Sequence, residues 1–252
     1  MNFIEFFCFL KVKKTFKGIL NLREEVIMKR DLELSVFDII GPVMIGPSSS
    51  HTAGAVRLGN LARCILGKKP LQARIGLHGS FRDTGKGHGT DKALVAGLLG
   101  FHPDDKRIPN AFDLTDGMEV EFFDPELDKT AHPNTVVFNL TSESEKIVLK
   151  GASLGGGAII VDRIDDFPVE ITGEYPSLLT VHKDRPGIIQ AVSKVLASYS
   201  INIAFMKVFR ISKGKRALML IETDQCVPSV AQEEILVQKD IEWVRFVDKI
   251  SL

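Results

Sequence analysis

Residues 178–203 read LLTVHKDRPGIIQAVSKVLASYSINI, and the C-terminal third of the chain takes its architecture from them. The apolar run Ser177–His182 has strand character. Asp184-Arg185-Pro186-Gly187 then forces a turn. Beyond it Ile188, Val192, Val195 and Leu196 recur at helical spacing, so one face of a helix points inward. Ile201–Arg210 and Arg216–Glu222 predict a hairpin around Lys213-Gly214, Pro228 opens a second helix to about Gln238, and Ile241–Ile250 supplies a last strand. The order is βαββαβ over residues 177–252, a ferredoxin-like unit. Two readings of its first turn stand side by side. Gly187 lets a backbone N–H approach a ligand, and the helix start behind it favours a carboxylate. Equally, Asp184 can serve as a cap and Pro186 as a first-turn residue of a plain strand-to-helix connection.

The strand, D-R-P-G turn, amphipathic helix and Ile201-Asn202-Ile203 together resemble an ACT domain. The resemblance implies amino-acid binding between paired domains. On this chain it assigns effector contacts to Asp184, Gly187 and Asn202, with ACT-mediated dimerisation. It equally allows a domain that serves only as an assembly interface.

Upstream, Asp165-Asp166-Phe167-Pro168 through Gly173-Glu174-Tyr175-Pro176 reads as a connection, with 168–176 as the linker between a domain at 28–167 and the ACT unit. In that domain Ala55, Leu58, Ala62 and Ile65 predict a helix over about Thr52–Leu66, stopped by Gly67. Ala73, Ile75 and Leu77 alternate through a strand over Gln72–His78. Leu94, Val95, Leu98 and Leu99 predict a second helix over Asp91–Leu99. Further strands are expected at Met118–Phe123, Thr135–Leu140, Lys146–Lys150 and Ala158–Val161. Irregularly interleaved strands and helices indicate an α+β fold.

Two constellations carry chemistry. Gly46-Pro47-Ser48-Ser49-Ser50-His51-Thr52-Ala53-Gly54 runs into the first helix. Hydroxyls beside unpaired helix-start N–H groups suit a carboxylate or phosphate, and His51 adds a group able to exchange protons near neutrality. A plain serine cap with an exposed histidine accounts for the same letters. The second, Thr84-Gly85-Lys86-Gly87-His88-Gly89-Thr90-Asp91, precedes the second helix. It is neither a Walker A loop nor a dinucleotide fingerprint. Ala131-His132-Pro133-Asn134-Thr135 and Ser153-Leu154-Gly155-Gly156-Gly157, taken singly, are turns at strand ends. His78 and His102 have no partner pattern for a metal.

Composition removes several classes. The 252 residues carry 32 Lys+Arg against 32 Asp+Glu, so no basic excess favours nucleic acid. Cys8, Cys64 and Cys226 are scattered, which excludes a disulfide framework and a Cys-rich zinc module. They also equip this chain poorly for an iron–sulfur cluster.

Taken together, SVFDIIGPVMIGPSSSHTAGAVRLG, HGS, TGKGHGTDKAL, AHPNT and SLGGG, in this order and followed by an ACT unit, resemble the beta subunit of the two-chain bacterial iron–sulfur L-serine dehydratases over about residues 29–252. Phe81-Arg82-Asp83 departs from the small or apolar residues more usual there. The resemblance implies an allosteric-substrate-binding-type domain and conversion of L-serine to pyruvate and ammonia, feeding amino-acid catabolism and gluconeogenesis. A 4Fe-4S cluster would act as Lewis acid, with its thiolates mainly on a partner alpha subunit. Ser49, Ser50, His51 and Thr52 would line the serine site, Gly87, His88, Gly89 and Thr90 would form a second wall, and His51 would be the catalytic candidate, as anion ligand or base. No metal ligand is assigned to this chain. The alternative is a non-catalytic amino-acid-sensing regulator. A pyridoxal-phosphate dehydratase would need more chain than remains beside the ACT unit.

Residues 1–27 differ from the rest. Asn2–Leu10 is apolar but too short to span a bilayer, and its lysines follow the apolar run, unlike a secretory signal. Arg23-Glu24-Glu25-Val26 is what a translated purine-rich ribosome-binding site would read, and it stands just before Met28. The expectation is a start at Met28 and a cytoplasmic protein.

Overall fold

The structure is a computed structural model that describes residues 42–250. The expectations for residues 1–27 and for a start at Met28 lie outside the described residues.

The first helix begins earlier than its apolar spacing suggests. Ser49–Gly54 forms a π-helical turn that runs into α1, Ala55–Leu66. Ser48 caps the turn, its Oγ accepting from the His51 N–H at 3.2 Å. Gly67, at φ +78°, ends α1 with its N–H on the Arg63 carbonyl. Strand β1, Gln72–Leu77, follows. The glycine-rich stretch expected to be a loop is instead two one-turn helices, α2 (Ser80–Asp83) and α3 (Gly85–His88). Thr84 N–H donates to the Ser80 carbonyl at 2.9 Å, which continues the first turn. Gly89, at φ +71°, reverses the chain and opens α4, Thr90–Leu98. A 3-10 segment at Ile108–Leu114 leads to β2, Glu119–Phe123.

Helices α1 and α4 cross where two glycines meet. A Cβ on Gly97 would lie 2.1 Å from the Val56 carbonyl oxygen, and one on Gly59 2.4 Å from that of Leu94. The missing side chains let two backbones touch, so both helices lie flat on one sheet. That sheet has six strands in the order β2-β1-β3-β4-β5-β6, completed by β3 (Thr135–Thr141), β4 (Lys146–Gly155), β5 (Ala158–Ile164) and β6 (Phe167–Ile171). Strand β1 pairs parallel to β2 and antiparallel to β3.

Strand β6 corrects the reading of 168–176 as linker. Phe167, Val169 and Ile171 alternate inward and pair with β5. Pro168 concealed them, but β6 is an edge strand, where a missing N–H costs no ladder bond.

The ACT region folds in the expected order: β7 (Ser177–Lys183), α5 (Ile188–Ser198), β8 (Ile203–Arg210), β9 (Arg216–Thr223), α6 (Ser229–Leu236) and β10 (Ile241–Val247). Its four strands lie β10-β7-β9-β8 and are all antiparallel. Leu178, Met219, Ile221 and Val244 pack under α5 and α6 with Ile188, Val192, Val195 and Leu196. The other face does not go to solvent. Leu179, Val181, Leu218 and Leu220 join the core of the first sheet and α1. The two sheets therefore share one apolar interior, with Arg245 of β10 reaching the Leu66 carbonyl and Glu145 across the seam.

Candidate functional site

Four separated motifs converge on His51. The π-helical turn holds His51 almost wholly buried, and its ring is fastened at both ends. Nδ1 lies 3.1 Å from Ser50 Oγ, and Nε2 lies 3.2 Å from Ser80 Oγ and 3.1 Å from Thr84 Oγ1. Thr84 Oγ1 donates its own proton to the Ser80 carbonyl at 2.9 Å, so it accepts from His51 Nε2–H. In the neutral ring Nδ1 then accepts from Ser50. The spacing of the sequence offered no residue to orient His51; the tertiary structure supplies these three hydroxyls. Burial holds the His51 pKa below the usual imidazole value, against a hydrogen bond at Ser80 that raises it, and nearby His88 lowers it further.

His88 stacks beside it, ring centroids 4.8 Å apart. Its Nδ1 lies 3.0 Å from the Thr84 carbonyl oxygen. A carbonyl only accepts, so Nδ1 carries the proton and Nε2 of the neutral ring keeps its lone pair. Phe81 is fully buried and packs edge-on against His51 at 5.2 Å. The unusual Phe81 is thus a wall of the site, while Arg82 pairs outward with Asp83 and Asp124.

The other two motifs form the floor. Gly79, at φ +53°, presses on Pro133, where a Cβ would sit 2.7 Å from the carbonyl oxygen. Phe81 N–H donates to the same carbonyl. Asn134 grips Ser153 through both its carbonyl and its side-chain amide. Ser153 in turn lies against Gly54 of the π-helical turn. Among the described residues four buried hydroxyls have no hydrogen-bond partner: Thr180 in β7, and at these motifs Thr52, Thr90 and Ser153. Each of the last three belongs to a different motif. Buried polar groups are rarely left unpaired without a functional reason.

Of the expected site residues, Ser50, His51 and His88 come together directly, and Thr52 and Thr90 contribute unpartnered hydroxyls. Ser49 opens the π-helical turn, and Gly87 and Gly89 flank His88 with open space where a Cβ would be. Sequence reasoning missed Ser80, Thr84, Asn134 and Ser153. The first two stand four residues apart across a single turn, a spacing that carried the signal only if that stretch was read as helix.

The ACT candidates are not assembled into one site. Asp184 Oδ2 accepts from Gly214 N–H at 2.9 Å and pairs with Arg210, tying down the β8–β9 hairpin. Asn202 donates to Asp224 at 2.6 Å. Gly187, at φ +94°, borders one hollow along α5, and Asn202 borders another.

Comparison with known proteins places the chain among relatives. The profile described as serine dehydratase beta chain matches residues 35–122, and that of the ACT domain matches 177–237. The probable L-serine dehydratase beta chain of Bacillus subtilis (strain 168) is 44% identical over 203 residues, 80% of this chain and 92% of its own length. This chain belongs to the serine dehydratase beta-chain family. The L-serine dehydratase beta chain of Peptoniphilus asaccharolyticus is 38% identical over 81% of this chain and 93% of its own. L-serine dehydratase 2 of Escherichia coli (strain K12) is 44% identical over 77 residues, 28% of this chain and 16% of its own.

The thiols of the described residues bear on whether this beta-chain family member supplies ligands to an iron–sulfur cluster. Cys64 is half-buried in α1, near Asn60, and Cys226 is exposed beside Asp248. Burial raises the Cys64 thiol pKa, opposite to what a thiolate ligand needs. Among the described residues no His, Cys, Asp and Glu side chains group to hold a metal ion. The described residues do not fit a cluster. Among them, no helix is long and apolar enough to cross a membrane.

Proposed function

We propose that this chain is the beta subunit of a cytoplasmic L-serine ammonia-lyase, acting with an alpha subunit to turn L-serine into pyruvate and ammonia. The near-full-length likeness to chains named as L-serine dehydratase beta chains supports it. In this reading any 4Fe-4S cluster is held by the alpha subunit, because the thiols here do not suit it. The observation that carries the chemistry is the His51–His88 pair set among unpartnered hydroxyls.

The roles follow from the protons. His88 Nε2 has a free lone pair and is partly open to the surface, so it takes the α-proton of serine. His51 is buried, fastened at both ring nitrogens and biased toward neutrality, so it orients and donates rather than shuttling a proton. The start of the π-helical turn, with the half-buried Ser49 hydroxyl, offers donors for the serine carboxylate. A free-standing amino-acid sensor would bind serine without a partner and without turnover.

The test is anaerobic co-expression with a cysteine-bearing alpha chain, followed by assay of serine-dependent pyruvate. His88→Ala and His51→Ala should each lower kcat by about 10²-fold or more. An active pair whose rate survives His88→Ala would remove the base assignment; a pair that binds serine but never forms pyruvate would favour the sensor.

A further inference from the structure

The site loop at Gly155–Gly157 is the two-residue turn of the β4–β5 hairpin, closed by the pairing of Gly155 with Ala158. All three glycines have left-handed φ, +103°, +60° and +88°, and the strand pairing slips between Ser153 and Gly155. Yet this loop follows Ser153, whose hydroxyl faces the turn carrying His51. A further tie on it comes from two other places. Arg57, on the first turn of α1 and only 3% exposed, donates from Nη1 to the Gly157 carbonyl. From Nη2 it donates to the Ile250 carbonyl at 2.8 Å, at the far end of the ACT region. Ile250 N–H in turn donates to the Gly173 carbonyl at 2.8 Å, so the C-terminal segment is strapped down beside the site.

A guanidinium is costly to bury, and here both its hydrogen-bonded acceptors are neutral main-chain carbonyls. Its Nε has no partner at all. Two donors in one rigid fork suit a residue that sets two chain segments at a fixed separation. We infer that Arg57 is a positioning residue that makes the C-terminal end of the ACT region part of the wall of the serine site, by holding Gly157 and Ile250 on one guanidinium. This inference rests on the serine-lyase reading. It gives the ACT region a direct mechanical route to substrate affinity: displacement of the Ile250 segment removes one of the two anchors of the guanidinium that holds Gly157.

The experiment uses the full chain in two arms. With the alpha subunit, serine kinetics are compared for wild type, Arg57→Gln, Arg57→Lys, Val237→Ala and a chain lacking Ile250–Leu252. Arg57→Gln and the deletion should each raise KM for serine about tenfold or more, and their combination should be no worse than the stronger single change. Val237→Ala, an exposed change elsewhere on the ACT region, should leave KM within about twofold; Arg57→Lys keeps the charge but spans one carbonyl, and should fall between wild type and Arg57→Gln. In the second arm, amide exchange of the chain alone should speed up at residues 153–157 in Arg57→Gln and in the deletion, with β1 and β3 unchanged. Unchanged KM and unchanged exchange in Arg57→Gln overturn the inference, as do effects that multiply in the combined variant. If β1 and β3 also lose protection in Arg57→Gln, the milder Arg57→Lys carries the same comparison. A wild-type pair without serine turnover defeats the lyase reading, while the exchange arm still decides Arg57.

Discussion

Gly54→Ala tests whether the π-helical turn and the SLGGG strand are one packed unit. The added Cβ would lie 2.1 Å from Ser153 Oγ and 2.9 Å from Ser153 Cβ, while the next neighbour, the Ser49 carbonyl oxygen, is a relaxed 3.6 Å away. Ordinary contact needs about 3.5 Å, so roughly 1.4 Å must be found at the hydroxyl. Ser153 is fully buried and cannot swing into solvent. Overpacking of this kind costs about 1–3 kcal/mol, offset by up to about 1 kcal/mol from replacing glycine in a helical turn. The net loss of about 1–2 kcal/mol corresponds to a fall in Tm of about 2–8 °C for a chain of this size. Ser153→Gly removes both clashing atoms, and its hydroxyl has no hydrogen bond to lose. That single change should cost only the glycine entropy, about 0.5–1 kcal/mol. The double variant should therefore match Ser153→Gly alone, a favourable coupling of at least about 1 kcal/mol. Urea unfolding of the four proteins measures this cycle. Additive losses, or a Gly54→Ala protein as stable as wild type, would refute the packing of these two motifs.

Two further outcomes are expected. The pKa of His51 is lowered on folding by burial, so between that lowered value and the ordinary 6.5 the unfolded chain binds more protons. Stability should then be full above pH 6.5 and fall as pH drops through that window, and His51→Asn should flatten this part of the urea-midpoint profile; an unchanged slope would show that His51 is not the group responsible. Gly97→Val, whose Cβ would strike the Val56 carbonyl at 2.1 Å, should push α1 from α4 and cost more than about 3 kcal/mol, read by thermal unfolding; a wild-type Tm would mean the helices do not cross there.

The ACT region was legible almost to the residue because its signals are local. The inward positions Ile188, Val192, Val195 and Leu196 are all buried, and the hairpin turns at Lys213-Gly214. Strand β6 was missed because Pro168 reads as a breaker, and only an edge position in a sheet tolerates it. The two short helices at Ser80–His88 were missed because glycine-rich sequence has low helix propensity. That error had a consequence for the site. Read as a loop, the stretch gave no reason to put Ser80 and Thr84 on one side, where both meet the same nitrogen of His51.

By itself the sequence determined the α+β class, the βαββαβ order and the motif residues, since periodicity, turns and helix starts are set by neighbours along the chain. It also determined which thiols this chain lacks. Only the tertiary structure decided that Ser80 and Thr84 orient His51, that the Asp184 and Asn202 side chains are taken up by other contacts, and that Arg57 joins Gly157 to Ile250. Those contacts link residues tens to nearly two hundred positions apart. No local pattern encodes them: they exist because one face of the ACT sheet is apolar and buries against α1, carrying the end of the chain to the edge of the site.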